Sequence, residues 1–115
     1  MLNQIVLVGR LVRDLEVKEL ENKKVANVTI AVPRPYKNAE GVYDTDFVDV
    51  ILFDSIANNT SEYCRKGDLL GIKGRVQTRK TINEDGTENK IQEIIAEKVT
   101  FLSSRKADEE EQKDS

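Results

Sequence analysis

Along most of this chain apolar residues recur at every second position, the period of a β-strand. Residues 2–9, LNQIVLVG, are apolar on both faces, with Leu2, Val6 and Val8 on one and Ile5 and Leu7 on the other. A strand of that kind requires cover on both sides. One side is assigned to a core, the other to a subunit contact or a covering loop. LEVKEL (15–20) alternates apolar and charged residues and continues the strand after a break at Arg13-Asp14. KKVANVTIAV (23–32) sets Val28, Ile30 and Val32 against Asn27, Thr29 and Ala31; Pro33 and Pro35 are expected to end it, because proline donates no ladder hydrogen bond. RPYKNAEGVYDT (34–45) reads as a loop, and DFVDVILF (46–53) as the next strand.

The alternation then breaks. In DSIANNTSEYCRKGD, Asp54 or Ser55 is placed to cap a short helix, Ile56, Thr60 and Tyr63 have helical spacing, and Gly67 is the expected stop. LLGIKGRVQTR (69–79) returns to strand period, Asp85-Gly86 is a hairpin signal, and KIQEIIAEKVTFL (90–102) closes the series with a bulge or bend near Ala96. About five strands with one short helix between the third and fourth is the pattern of an all-β OB-fold, a five-stranded Greek-key barrel. The expected organisation is one domain over residues 1–102 and a disordered acidic tail over 103–115.

Composition changes this picture in three places. The chain has 115 residues and one cysteine, so it can close a core but no intramolecular disulfide. Cys64 reads as a small helix residue. Histidine is absent, which removes the commonest general base and metal ligand. The N-terminal apolar run is too short to span a bilayer and lacks a basic leader region, so the expected location is the cytoplasm. Net charge is −3, but residues 107–115 hold five acids and one lysine, leaving 17 basic and 16 acidic side chains before them.

In the body, then, the arrangement of charge matters more than its sum. On the strand 69–79, Leu70, Ile72, Gly74, Val76 and Thr78 form the inward set, while Lys73, Arg75 and Arg79 share the outer row at about 7 Å per second residue. Such a row is either an ordinary solvated face or a groove that tracks phosphates. Phe47 and Phe53 share one face with Asp49 between them. Turning that face inward would bury Asp49 and expose Val48, Val50 and Leu52. Two rings on an outer face serve either a subunit interface or base stacking, and Tyr36 beside Arg34 and Lys37 adds a third ring with cations.

These residues together resemble the bacterial single-stranded DNA-binding proteins. The similarity rests on MLNQIVLVGRLVRD, DFVDVILF, SEYCRKGDLLGIKGRVQTRK and EIIAEKVTFL in that order over residues 1–102. The resemblance implies an OB-fold without cofactor or metal, assembled as a homotetramer, or alternatively a dimer, in which first strands pair at residues 2–9. It implies non-catalytic, sequence-independent protection of single-stranded DNA in replication, repair and recombination. Motif matching places stacking on Tyr36, Phe47 and Phe53, and phosphate contact on Lys66 and Arg79; the charge pattern adds Arg10, Arg34, Lys37, Lys73, Arg75 and Lys80. Thr81 stands where an aromatic is expected, and Asp49 puts a negative charge among the rings. The tail keeps the family's acids but has neither proline nor phenylalanine, so recruitment of replication or repair partners through it is not expected.

Two rival readings remain at this stage. A primosomal-type OB module would bind protein and bind DNA weakly. A magnesium-dependent nuclease would use Asp44, Asp46, Asp49 and Asp54 with the Glu88-x-Lys90 pattern, although Glu88 beside a hairpin tip is an ordinary solvated charge.

Overall fold

The strand period is realised as six strands and one helix in the computed structural model, which describes residues 1–103. In chain order these are β1 (Ile5–Leu11), β2 (Val17–Leu20), β3 (Lys23–Lys37), β4 (Tyr43–Phe53), α1 (Asp54–Tyr63), β5 (Leu69–Ile82) and β6 (Glu88–Ser103). The sheet order is β1-β5-β6-β4-β3-β2, and β1 also pairs with β3. That pairing, Arg10 with Ala31 and Leu11 with Ile30, closes a five-stranded barrel. β1 and β2 are the two halves of one curving path interrupted around Arg13-Asp14, and β2 continues along β3 from Val17↔Ala26 to Leu20↔Lys23. Counted so, the barrel has the expected five strands, with the helix after the third. It is an OB-fold.

Alternation in the sequence becomes inside and outside in the barrel. Val28 and Ile30 from β3, Val50 and Leu52 from β4, and Leu70 and Ile72 from β5 are buried together with Leu11, Ala57, Cys64 and Ala96. β5 and β6 form a long antiparallel hairpin from Leu69↔Ser103 to Ile82↔Glu88. Its register moves from Lys73↔Lys98 to Gly74↔Ala96, leaving Glu97 as the extra residue of a bulge at the position expected from sequence. Gly74 is required there, because a Cβ would overlap the carbonyl oxygen of Ile95. The Asp85-Gly86 turn is also present: Gly86 has φ +85°, and its N–H donates to the Asn83 carbonyl at 2.9 Å. Thr87 donates through both its N–H and its hydroxyl to Asp85, which holds that carboxyl below the usual range.

Three expectations need correction. β3 does not end at Pro33 but runs through both prolines to Lys37. Beyond Ala31 it has left β1 and is paired with β4 alone, with an irregular register between Pro33 and Lys37. A two-stranded ribbon with an open edge accommodates residues that donate no ladder bond. Consequently Tyr36 lies on a strand, and the turn is confined to residues 38–42, where the Asn38 side chain accepts from the N–H groups of Glu40 and Val42. Neither Asp54 nor Ser55 caps α1. Phe53 occupies the N-cap position without a side-chain bond, and Asp54, at φ +49°, accepts instead from the Lys24 N–H at 3.1 Å. Finally, α1 stops at Tyr63 and not at Gly67, which has φ +93° in the turn leading to β5 and donates its N–H to the Leu11 carbonyl. The acidic tail beyond residue 103 lies outside the described residues. Among those residues no helix is long and apolar enough to cross a membrane.

Candidate nucleic-acid interface

Because β3 and β4 keep an unshifted register from Val25↔Phe53 to Pro33↔Thr45, the outward residues of the two strands meet in pairs. Phe47 lies opposite Ala31, Asp49 opposite Thr29, Ile51 opposite Asn27 and Phe53 opposite Val25. The inward residues of β4, Val50 and Leu52, are fully buried. Phe47 is therefore an outer ring, 66% exposed, while Phe53 at the end of the same row is half-buried. Between them the Asp49 carboxylate accepts from the Thr29 hydroxyl at 2.6 Å, and that hydroxyl in turn accepts from the Arg13 guanidinium at 3.0 Å. The row continues across the sheet: Ile51 is in register with Ile95 of β6, and Ile95 with Arg75 of β5.

The far end of the β3–β4 ribbon carries Tyr36, 62% exposed, and Tyr43, whose ring lies 5.7 Å from the Lys37 ammonium. Arg34 lies beside Asp46 and Asp44 on this ribbon, with Tyr36 near enough to act on its charge. Its fork is bound to the Asp46 carboxylate at 2.9 Å, with Asp44 at 3.8 Å. That hydrogen-bonded pairing raises the Arg34 pKa and holds the Asp46 carboxyl below the ordinary range. Of the expected cluster, Tyr36 and Lys37 are open and Arg34 already has two carboxylate partners.

On β5 the outer row of Lys73, Arg75 and Arg79 is exposed as expected, and Lys80, of the opposite parity, is exposed as well. Lys73 is flanked in register by Val6 on β1 and Lys98 on β6, which adds a cation that the strand-by-strand reading missed. Arg75 donates to the Gln77 side chain at 2.9 Å. Arg79 is paired with Glu93 of β6, so the row is not free of acids once its neighbour is in place. Lys80 lies opposite Lys90, and Thr81 opposite Asn89. Arg10, near the end of β1, and Lys66, in the turn before β5, stand apart from this row. Arg10 donates to the Gly67 carbonyl at 2.9 Å, and the Lys66 N–H donates to Asp14 at 2.7 Å with its ammonium in solvent.

The four β4-region carboxylates are all engaged: Asp44 and Asp46 on Arg34, Asp49 on Thr29, Asp54 on the Lys24 N–H. Among the described residues no three acidic, histidine or cysteine side chains converge on a point that would hold a metal ion. Cys64 is 2% exposed, and burial, reinforced by the Asp68 charge, pushes its thiol up to about 11. Sequence reasoning did not single out Arg13, Thr29, Tyr43 or Ile51. For Thr29 and Ile51 the signal was present, since both share strand parity with residues already placed outside.

A closed OB barrel with an open row of rings on two adjacent strands and a cationic row beside it defines an oligonucleotide-binding architecture. Residues 2–102 match the Single-strand binding protein family. The chain is 42% identical to the Single-stranded DNA-binding protein B of Bacillus subtilis (strain 168), over 91% of this chain and 94% of that protein. It is 43% identical to a Single-stranded DNA-binding protein of Halalkalibacterium halodurans, over 91% of this chain and 63% of the relative. Against Single-stranded DNA-binding protein 1 of Staphylococcus aureus (strain MSSA476), the figures are 39% identity, 97% of this chain and 72% of the relative. The chain belongs to the Single-strand binding protein family.

Proposed function

We propose that the chain binds single-stranded DNA without sequence-specific base contacts and without catalysis, protecting it during replication, repair and recombination in the bacterial cytoplasm. The observation that carries this reading is the exposed Phe47 ring on the outer face of β4, in line with Phe53. An exposed ring gains little from water and offers a base its face, an interaction of roughly 1–3 kcal/mol per base. Tyr36 and Tyr43 extend the stacking surface along the ribbon, and Lys37, Lys73, Arg75, Arg79, Lys80 and Lys98 supply phosphate contacts around it. Arg10 joins from the end of β1 and Lys66 from the turn before β5. Arg34 adds a further cation on the ribbon, where Asp46 and Asp44 hold its fork.

Homo-oligomerisation through β1 is part of the same reading. Val6 and Val8 are 64% and 48% exposed on its outer face. Residues 5–8 are in register with β5 on one side, whereas pairing with β3 begins only at Arg10. An open strand edge beside exposed valines favours a second copy of the chain, giving a dimer that can pair again into a tetramer.

The test is fluorescence anisotropy of labelled oligo-dT against a matched duplex over a salt series, with and without magnesium. Tight single-strand preference, affinity that falls with salt and an intact oligonucleotide are expected. Equal weak affinity for both forms would replace this reading with a protein-interaction module, and cleavage with magnesium would replace it with a nuclease.

A further inference from the structure

Arg13 is a cation that the functional reading above leaves unused. It lies in the break between β1 and β2 and is exposed. The backbone on both sides of it is tied down. The Val12 N–H donates to the Thr29 carbonyl at 3.0 Å, and the Asp14 carboxylate accepts from the Lys66 N–H at 2.7 Å. Its guanidinium is tied as well, donating to the Thr29 hydroxyl at 3.0 Å. That hydroxyl gives its own proton to Asp49 at 2.6 Å, which leaves the Thr29 oxygen to accept from Arg13. Thr29 therefore fixes the turn through its carbonyl and the end of the Arg13 side chain through its hydroxyl.

The identity of the partner matters. Arg34 and Arg79 are each held by a carboxylate, whereas Arg13 forms no ion pair within 4 Å among the described residues. A guanidinium carries five N–H donors, so one neutral oxygen leaves the positive charge open to an anion. Arg13 also borders a cleft lined by Lys18, Val25 and Asn27, together with the acids Asp14 and Glu16. Val25 and Asn27 face outward on β3, opposite Phe53 and Ile51. The cleft thus adjoins the row of rings from the β3 side, whereas the β5 cations lie across β6.

We propose that Arg13 is a phosphate-contacting residue of the single-strand site and that Thr29 is the residue that positions it. This rests on the single-strand reading above. A free arginine side chain loses rotamer freedom when it grips a phosphate; Arg13 is restrained before any DNA arrives. The Phe47–Phe53 row is then flanked by cations on two sides, the β1–β2 turn and β5, with bases stacked between them. A phosphate contact carries no base information, so it strengthens binding of every sequence alike. Asp49, an acid on a face that meets a polyanion, has its place in this arrangement as the acceptor that orients the Thr29 hydroxyl.

The experiment is a double-mutant cycle on the full chain, with affinities for oligo-dT and oligo-dC measured by anisotropy over a salt series. Arg13→Gln is expected to weaken binding of both oligonucleotides alike, by about fivefold at low salt. It should also lower the salt slope by about 0.7, the value of one single-strand phosphate contact. Thr29→Val keeps the shape and the charge; it is expected to weaken binding by about threefold in the native background and to change little in Arg13→Gln. In the protein without DNA, the heteronuclear NOE at the Arg13 Nε–H is expected to drop in Thr29→Val, which a purely structural threonine would not cause. If Arg13→Gln leaves affinity and slope unchanged, Arg13 does not meet the backbone, and the inference falls while single-strand binding stands. If Thr29→Val reduces affinity equally in both backgrounds, or leaves the NOE unchanged, Thr29 does not act through Arg13 and its positioning role falls. If neither oligonucleotide binds the native protein, both readings fall together.

Discussion

Phe47 and Phe53 occupy the same row but not the same environment, and the difference separates binding from stability. Phe47 is largely in solvent, so Phe47→Ala is expected to reduce single-strand affinity by about 1–3 kcal/mol and leave the melting temperature nearly unchanged. Phe53 is half-buried beside Val25 at the N-cap of α1; Phe53→Ala is expected to lose comparable affinity and some stability as well. Titration with oligo-dT and a thermal melt of each variant distinguish them, and unchanged affinity in a folded Phe47→Ala would remove that ring from the site. Cys64 makes a separate prediction. Its folded-state pKa is raised to about 11 from the ordinary 9.0. Between those values the unfolded chain has released a proton that the folded chain retains, so the thiol's contribution is intact below pH 9 and is lost as pH rises toward 11. Urea midpoints across that window should fall more steeply for the native protein than for Cys64→Ala. At this scale the face on which a side chain lies was legible, because strand parity fixes it. Its partner was not: Arg34 and Asp46 are distant in sequence and meet only through the β3–β4 register.

The elements show the same division. Alternation located every strand of the barrel, and the bulge at Glu97 was visible as a disturbance of that alternation near Ala96. The extension of β3 through Pro33 and Pro35 was hidden, since the rule that proline ends a strand presumes neighbours on both sides. The helix start was misread for a related reason, because the Asp54 carboxylate was taken by a tertiary donor, the Lys24 N–H. Gly74→Ala is expected to destabilise the β5–β6 hairpin by about 1–3 kcal/mol, because the methyl meets the backbone of Ile95, which cannot rotate away as a side chain would. Chemical denaturation measures it, and a neutral outcome would mean that the bulge relaxes. Thr60 gives the opposite sign. Its hydroxyl is fully buried in α1 without a hydrogen-bond partner among the described residues. Thr60→Val keeps the shape and removes an unsatisfied group, so equal or higher stability is expected; a clear loss would mean that the hydroxyl is satisfied in solution.

For the whole molecule, the order of strands around the helix made the barrel legible, and the matching family extends over residues 2–102. The assembly proposed above was legible only as a requirement, through a first strand apolar on both faces. The structure accounts for one face, with Ile5 and Leu7 half-buried and packed toward the core side, and leaves Val6 and Val8 open. Val8→Glu is therefore expected to lower the sedimenting mass while the circular dichroism of the folded chain is kept. An unchanged mass would move the interface away from β1.

One feature of the closure has a mechanical consequence. The barrel is sealed between β1 and β3 by only two paired positions, Arg10↔Ala31 and Leu11↔Ile30, with the Val12 N–H adding one bond to the Thr29 carbonyl just beyond. The β5–β6 hairpin and the β3–β4 hairpin are each joined over most of their length. The molecule is thus two long ribbons fastened by this short clasp on one side and by the single Ile51↔Ile95 bridge between β4 and β6 on the other, and such short seams are where a closed ring parts first. Amide protons at residues 10–12 and 29–31 should exchange ahead of those in the middle of either ribbon. The same clasp sits beside Thr29 and Asp49, so a strand of DNA bound along that row as proposed would bridge the two ribbons and bolt the ring shut.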